Sequence, residues 1–209
     1  MWTLYGSAGS GSAAVEMALL RCGLPYRVQR ASTWEADSAQ AELQRTNPLG
    51  QIPTLQAPDG SVLTESAAIL IHLGLTHPDA ALLPAEAGER AQALRALVFV
   101  AANCYAAIGV IDYPERWCPA GDDATREALR DGARARLHRY WEIFADQFPH
   151  EPFLGGARPG AADMLAAVVS RWSGARAHLR QARPGFLACL ERVQADTELA
   201  PVFARHWPA

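Results

Sequence analysis

Lysine is missing from this chain of 209 residues: all 19 basic residues are arginine, set against 22 acidic ones. With alanine abundant, this points to a GC-rich coding sequence and not to any chemistry. A formal net charge of −3 leaves no positive field to make nucleic acid or an anionic membrane the main partner. Cys22, Cys104, Cys118 and Cys189 are scattered with no C-x-x-C. A dithiol redox motif is therefore absent, and the thiols read as small hydrophobes of a reducing cytoplasm. The six histidines form no H-E-x-x-H or other helical ligand pair, so no metal is expected. Neither an uninterrupted apolar run that could cross a bilayer nor a signal peptide is visible. The small, polar stretch Gly9-Ser10-Gly11-Ser12 follows neither G-x-x-x-x-G-K-[ST] nor G-x-G-x-x-G, so nucleotide binding is not expected.

What is present divides the chain in two. Trp2-Thr3-Leu4-Tyr5 is β-prone and ends at Gly6, and residues 7–12 form a flexible loop feeding a helix. Val15, Ala18, Leu19 and Cys22 keep helical spacing until Gly23-Leu24-Pro25 stops them. Residues 26–29 read as a second strand and 38–45 as a short helix. Residues 53–57 and 61–63 read as a hairpin across Pro58-Asp59-Gly60, and 66–76 as a closing helix. The order β-α-β-α-β-β-α predicts an α/β thioredoxin-like domain over residues 1–77. Two prolines, Pro78 and Pro84, mark a linker over 78–85.

From 86 to 209 no strand pattern recurs. Leu94, Leu97, Ala101, Cys104, Tyr105 and Ile108 lie on one helical stripe, and Leu129, Ala133, Leu137, Trp141, Phe144 and Phe148 on another. This predicts an all-α helical bundle domain. The aromatic stretch 112–119, which contains Trp117, reads either as an apolar wall for a substrate or as a capped helix end. Trp34, after the second strand, has the same two readings. Asp163, three positions into an apolar helix that follows Gly160, resembles half a capping box and reads as structural.

The chemistry concentrates in Asn47-Pro48-Leu49-Gly50-Gln51-Ile52-Pro53-Thr54-Leu55. Asn47-Pro48 and Gly50 are turn residues. A strand opened by a proline, which cannot donate to a ladder, leaves the Ile52 backbone free to pair with an extended peptide. Ten residues later Glu65-Ser66 precedes the apolar run Ala67-Ala68-Ile69-Leu70. A helix start there offers free N–H groups to a carboxylate, and Glu65 beside it can hold an ammonium. Alone, Ser66 reads equally as a plain N-cap. A hydroxyl at the first helix's N-terminus, near the Ile52-Pro53 corner, would favour a thiolate over its thiol.

Together these motifs resemble the glutathione S-transferase superfamily, most sharply from Asn47 to Ile69 and loosely over 112–123. The resemblance implies a cis bond before Pro53, with the Ile52 backbone pairing with the cysteinyl unit of glutathione. Glu65 and Ser66 would grip its γ-glutamyl end, and Gln51 would lie near its glycyl end. It implies a catalytic hydroxyl from Ser10, or else from Ser12 or Tyr5; Ser12 also reads as the natural N-cap. Some bacterial members carry a cysteine where this chain has Gly11, and the resemblance does not extend to that chemistry. The expected activity is conjugation of glutathione, as co-substrate and without metal, to a small hydrophobic electrophile by a cytoplasmic homodimer. Tyr105, Trp117 and Trp34 would line the electrophile pocket. The alternatives are a glutathione-dependent disulfide reductase or isomerase on the same fold, and a non-catalytic glutathione-binding or regulatory module.

Overall fold

The computed structural model describes residues 1–32, 34–35 and 37–208. Strand β1 (Trp2–Gly6) is followed by helix α1 (Ser12–Arg21) and strand β2 (Tyr26–Arg30), which pairs parallel with β1. Helix α2 (Gln40–Thr46) leads to the hairpin of β3 (Thr54–Gln56) and β4 (Val62–Thr64), and helix α3 (Ser66–Thr76) follows. The sheet order is β2-β1-β3-β4, with β3 antiparallel to both of its neighbours. Side chains alternate across the sheet: Leu4 joins the main core on one side, whereas Tyr5 packs with Ala31 and Leu43 on the other. The thioredoxin-like order expected from the sequence is thus observed.

A 3₁₀ turn at Pro78–Ala80 leads into the helical region. Helix α4 (Ala87–Phe99) continues through a π-helical stretch, Val100–Tyr105, into α5 (Ala106–Asp112). The helices α6 (Asp123–Gln147), α7 (Ala161–Val169), α8 (Ala175–Ala182), α9 (Pro184–Ala195) and α10 (Ala200–His206) follow. Among the described residues no strand occurs past β4, so the second region is all-α as expected. The continuous helix from Ala87 to Asp112 is long and apolar enough, by length and composition, to cross a membrane, with a window of mean hydropathy 1.9. No uninterrupted apolar run marks this helix in the sequence, because Asn103 and small residues dilute it. In the fold the helix packs between α6 and α7.

The helix α1 departs from the amphipathic pattern expected of it. Residues 12–19 are all buried, charged Glu16 included. Its sheet-averted side is covered by α7 and α10, and a helix covered all round needs no polar face. The carboxylate of Glu16 accepts hydrogen bonds from His206 (2.9 Å), Tyr26 (3.1 Å) and Arg205. Burial pushes its pKa up, but the bonds from His206 and Arg205 outweigh this and leave the carboxyl below its ordinary range. A carboxyl depressed in the folded state stabilises above its unfolded pKa of about 4.3, and that contribution fades as pH falls below it. Glu16→Gln is therefore expected to cost about 1–3 kcal/mol at neutral pH. In urea melts its deficit relative to the unaltered protein should hold down to about pH 4.3 and shrink only below it.

Candidate active site

The end of α2 builds the proline corner. Asn47 is buried, and its Nδ2 donates to the carbonyl of Gln51 (3.1 Å) and to Thr54 Oγ1 (3.0 Å). Its Oδ1 accepts from the Leu49 N–H (3.1 Å), and Thr54 Oγ1 donates to the same Gln51 carbonyl (2.8 Å). Gly50 takes a φ of 61°, open to glycine at little cost, and the Ile52-Pro53 bond is cis. With Asn47 holding the turn from inside, β3 starts only at Thr54. Among the described residues neither the N–H nor the C=O of Ile52 has a hydrogen-bond partner. The side chain of Gln51 is exposed beside it.

Glu65 occupies the junction of β4 and α3 at φ 65°, ψ 113°, a region that L residues rarely adopt. Its side chain is exposed, while Ser66, the first residue of α3, is buried. The Glu65 carbonyl accepts the N–H of Ile69 (3.0 Å). No side chain caps this end, so the plain N-cap reading of Ser66 does not hold. The N–H groups of Ser66, Ala67 and Ala68 remain available to an anion.

The loop before α1 is tied by hydroxyls. Ser10 Oγ, buried, donates to the Ser7 carbonyl (2.8 Å), lies 2.8 Å from Ser12 Oγ, and accepts from the Ser12 N–H (3.2 Å). Ser12 Oγ accepts from the Ser7 N–H (3.3 Å) and also reaches the Ser7 carbonyl (3.3 Å). Gly11 holds the cap position, which corrects the reading of Ser12 as N-cap: Ser12 is the first helical residue and its hydroxyl turns back to the loop. Tyr5 lies on the α2 side of the sheet and donates its hydroxyl to Glu42 Oε1 (2.8 Å). Burial first, with the Glu42 bond and charge behind it, pushes the Tyr5 pKa up despite a hydrogen bond from Thr46 that lowers it. A hydroxyl so engaged has no proton free for a thiolate unless it leaves Glu42.

Of the three aromatics expected in an electrophile pocket, only Tyr105 meets this loop. A Cβ on Gly11 would lie 3.2 Å from its Cζ and closer still to its oxygen. Trp117 and Trp34 are 63% and 59% exposed, and neither stacks on another ring among the described residues. The fold instead brings up two tryptophans that sequence reasoning passed over. The ring of Trp172 lies 5.6 Å from that of Tyr105. Trp207 Nε1 lies 3.7 Å from where a Cβ on Gly9 would stand, with the Arg171 guanidinium 4.4 Å over its ring. Their only sequence signal is position: Trp172 stands three residues past the Asp163 helix and Trp207 caps the chain's last one.

The site thus presents an unpaired backbone at Ile52, an uncapped helix end beside an exposed carboxylate, and a hydroxyl-rich loop. Such a set can take a short peptide with a carboxylate and an ammonium at one end. Residues 12–75 match the family model described as the glutathione S-transferase N-terminal domain. The GST-like protein YncG of Escherichia coli K12 is 33% identical over 174 residues, 82% of either chain. A maleylacetoacetate isomerase of Rhizobium meliloti is 33% identical over 159 residues, 74% of this chain and 73% of that one. A Sulfitobacter glutathione transferase homologue, solved with bound glutathione, superposes with a TM-score of 0.85 at 24% identity, over 97% of this chain and 96% of that one. The chain belongs to the glutathione S-transferase superfamily.

Proposed function

We propose that the chain is a glutathione transferase that binds the tripeptide along the Ile52 corner and attacks a small hydrophobic electrophile with its thiolate. The observation that carries this reading is the pairing of an unpartnered Ile52 backbone with an uncapped α3 end beside Glu65. Ile52 would hold the cysteinyl backbone next to Pro53. The α3 amides and Ser66 would take the γ-glutamyl carboxylate, Glu65 its ammonium, and Gln51 would lie near the glycyl end. Ser10 acts from the α1 loop. Its proton rests on the Ser7 carbonyl, which Ser12 Oγ can serve instead, so rotation towards a thiolate leaves no buried acceptor bare. The four cysteines are free, in keeping with a cytoplasmic setting.

Residues 1–77 would form the glutathione domain and 86–209 the electrophile domain, joined by 78–85. The homodimer is part of the same reading: Leu75 and Val98 are exposed apolar side chains, on α3 and α4 respectively. Retention on immobilised glutathione, followed by turnover of a chlorinated nitrobenzene, tests the assignment. Retention with no turnover of any electrophile or disulfide would favour a binding module. Ser10→Ala is expected to lower kcat/KM about tenfold, the loss of one hydrogen bond to a charged group. Because Ser10 also ties the loop, the same variant should lose about 1–2 kcal/mol of stability. A second reading is a glutathione-dependent isomerase, favoured by the 33% identity to a maleylacetoacetate isomerase. Turnover of maleylacetoacetate without conjugation of any electrophile would select it.

A further inference from the structure

Gly11 and Tyr105 come from opposite halves of the chain and fit each other. Gly11 sits at the cap of α1 with φ −61°, a value any residue can adopt, so backbone freedom does not explain a glycine there. Space does. An added Cβ would lie 3.2 Å from Tyr105 Cζ, 3.4 Å from Cε2 and inside the contact distance of the hydroxyl oxygen. The missing side chain is therefore the room in which the phenol stands.

Three features aim that phenol. Tyr105 closes the π-helical stretch Val100–Tyr105, and an extra residue per turn re-aims the side chains at its end. The Trp172 ring lies against it at 5.6 Å and 56°. Cys104, beside it in sequence, is fully buried and fixes the helix in the core. The Tyr105 hydroxyl has no hydrogen-bond partner among the described residues and is not sealed from solvent. By contrast, the hydroxyls of Tyr5, Ser10 and Ser12 all have intramolecular partners. A free phenol aimed at the α1 loop is a donor awaiting an acceptor.

We propose that Tyr105 is a second catalytic hydroxyl, donating a hydrogen bond to the glutathione thiolate in the space left open by Gly11. The inference rests on the glutathione-binding reading above and adds a residue from the helical half to it. Burial first, and then the negative charges of Asp112 and Glu65, push the Tyr105 pKa up to about 12. The phenol therefore keeps its proton at neutral pH and acts as a donor, never as a base. The contact with Gly11 sets the hydroxyl against the cap of α1, at the loop that carries Ser10. No proton is transferred: the thiol's own proton goes to solvent, and the phenol stabilises the anion left behind.

The test titrates the thiolate absorbance of glutathione bound to the unaltered protein, to Tyr105→Phe and to Gly11→Ala. Binding of S-methylglutathione, which has no ionisable sulfur, is measured alongside. Tyr105→Phe removes one unpartnered oxygen and should leave S-methylglutathione affinity unchanged. It should raise the apparent thiol pKa by about 1, cutting the thiolate fraction and kcat/KM about tenfold at neutral pH. Gly11→Ala should shift the pKa in the same direction by displacing the phenol. An unchanged pKa in Tyr105→Phe, with S-methylglutathione still bound, overturns the proposal. Failure of the unaltered protein to bind S-methylglutathione removes instead the glutathione reading on which it rests.

Discussion

Asp163→Ala is expected to lower the unfolding free energy by about 4 kcal/mol, the sum of losing the partner of one buried and two half-buried donors at roughly 1–3 each. The carboxylate is fully buried. Oδ1 accepts from the Leu154 N–H (2.8 Å), and Oδ2 from the N–H groups of Gly155 (2.7 Å) and Gly160 (2.8 Å). Burial pushes its pKa up to about 6 against the pull of these three amides. The bonds pin the loop before α7 to the first turn of that helix, and α7, buried along its whole length, packs on α1, α3 and α9. Gly160 has no side chain to complete a reciprocal cap, so the acid alone satisfies this end. Asp163→Asn should recover part of the loss, since one amide oxygen can still serve Leu154 or the Gly155–Gly160 pair but not both. A drop in the thermal midpoint of roughly 10 °C for Asp163→Ala is anticipated, at about 2–4 °C per kcal/mol for a chain of this size. A midpoint within a degree or two of the parent would show that water or a rearranged loop replaces the carboxylate.

Local signals account for what could be read without coordinates. The proline corner was legible because Asn47, Gly50 and Pro53 each have few conformational uses, and together they specify one turn. The hairpin at Pro58-Asp59-Gly60 and the start of α3 followed from equally local chemistry. Facts created by packing were not legible. Residues 12–19 of α1 read as an amphipathic helix, but α7 and α10 cover its outer side, so the buried Glu16 finds partners about 190 positions away in the exposed Arg205 and the buried His206. Tyr105 lay on a stripe whose spacing reads as core, and only the resemblance gave it a place in the electrophile pocket. Its meeting with Gly11 depends on the π-helical stretch and on how the two halves dock, and neither leaves a trace in spacing. Ser12 looked like a cap because it stands at a loop–helix junction. The network of Ser7 and Ser10 moved the boundary by one residue and turned its hydroxyl back to the loop.

Glu65→Gly should separate stability from binding, moving the two in opposite directions. At φ 65°, ψ 113° a residue with a Cβ is strained, by about 1–3 kcal/mol, and glycine adopts this geometry with little strain. Set against the entropy glycine loses on folding, of about 0.5–1 kcal/mol, the net expectation is a protein as stable as the parent or up to about 2 kcal/mol more so. The carboxylate, however, is exposed beside the uncapped end of α3. Removing it deletes the partner for the γ-glutamyl ammonium, so glutathione should bind roughly 10–100-fold more weakly, as expected for one charge-assisted hydrogen bond. Glu65→Gln separates the components: it keeps the strain, loses the charge, and should weaken binding without the gain in stability. Calorimetric titration with glutathione and urea melts of both variants provide the readout. If Glu65→Gly bound glutathione as tightly as the parent, Glu65 would be no ligand, and the strained backbone would have to serve only the turn that exposes the amides of α3.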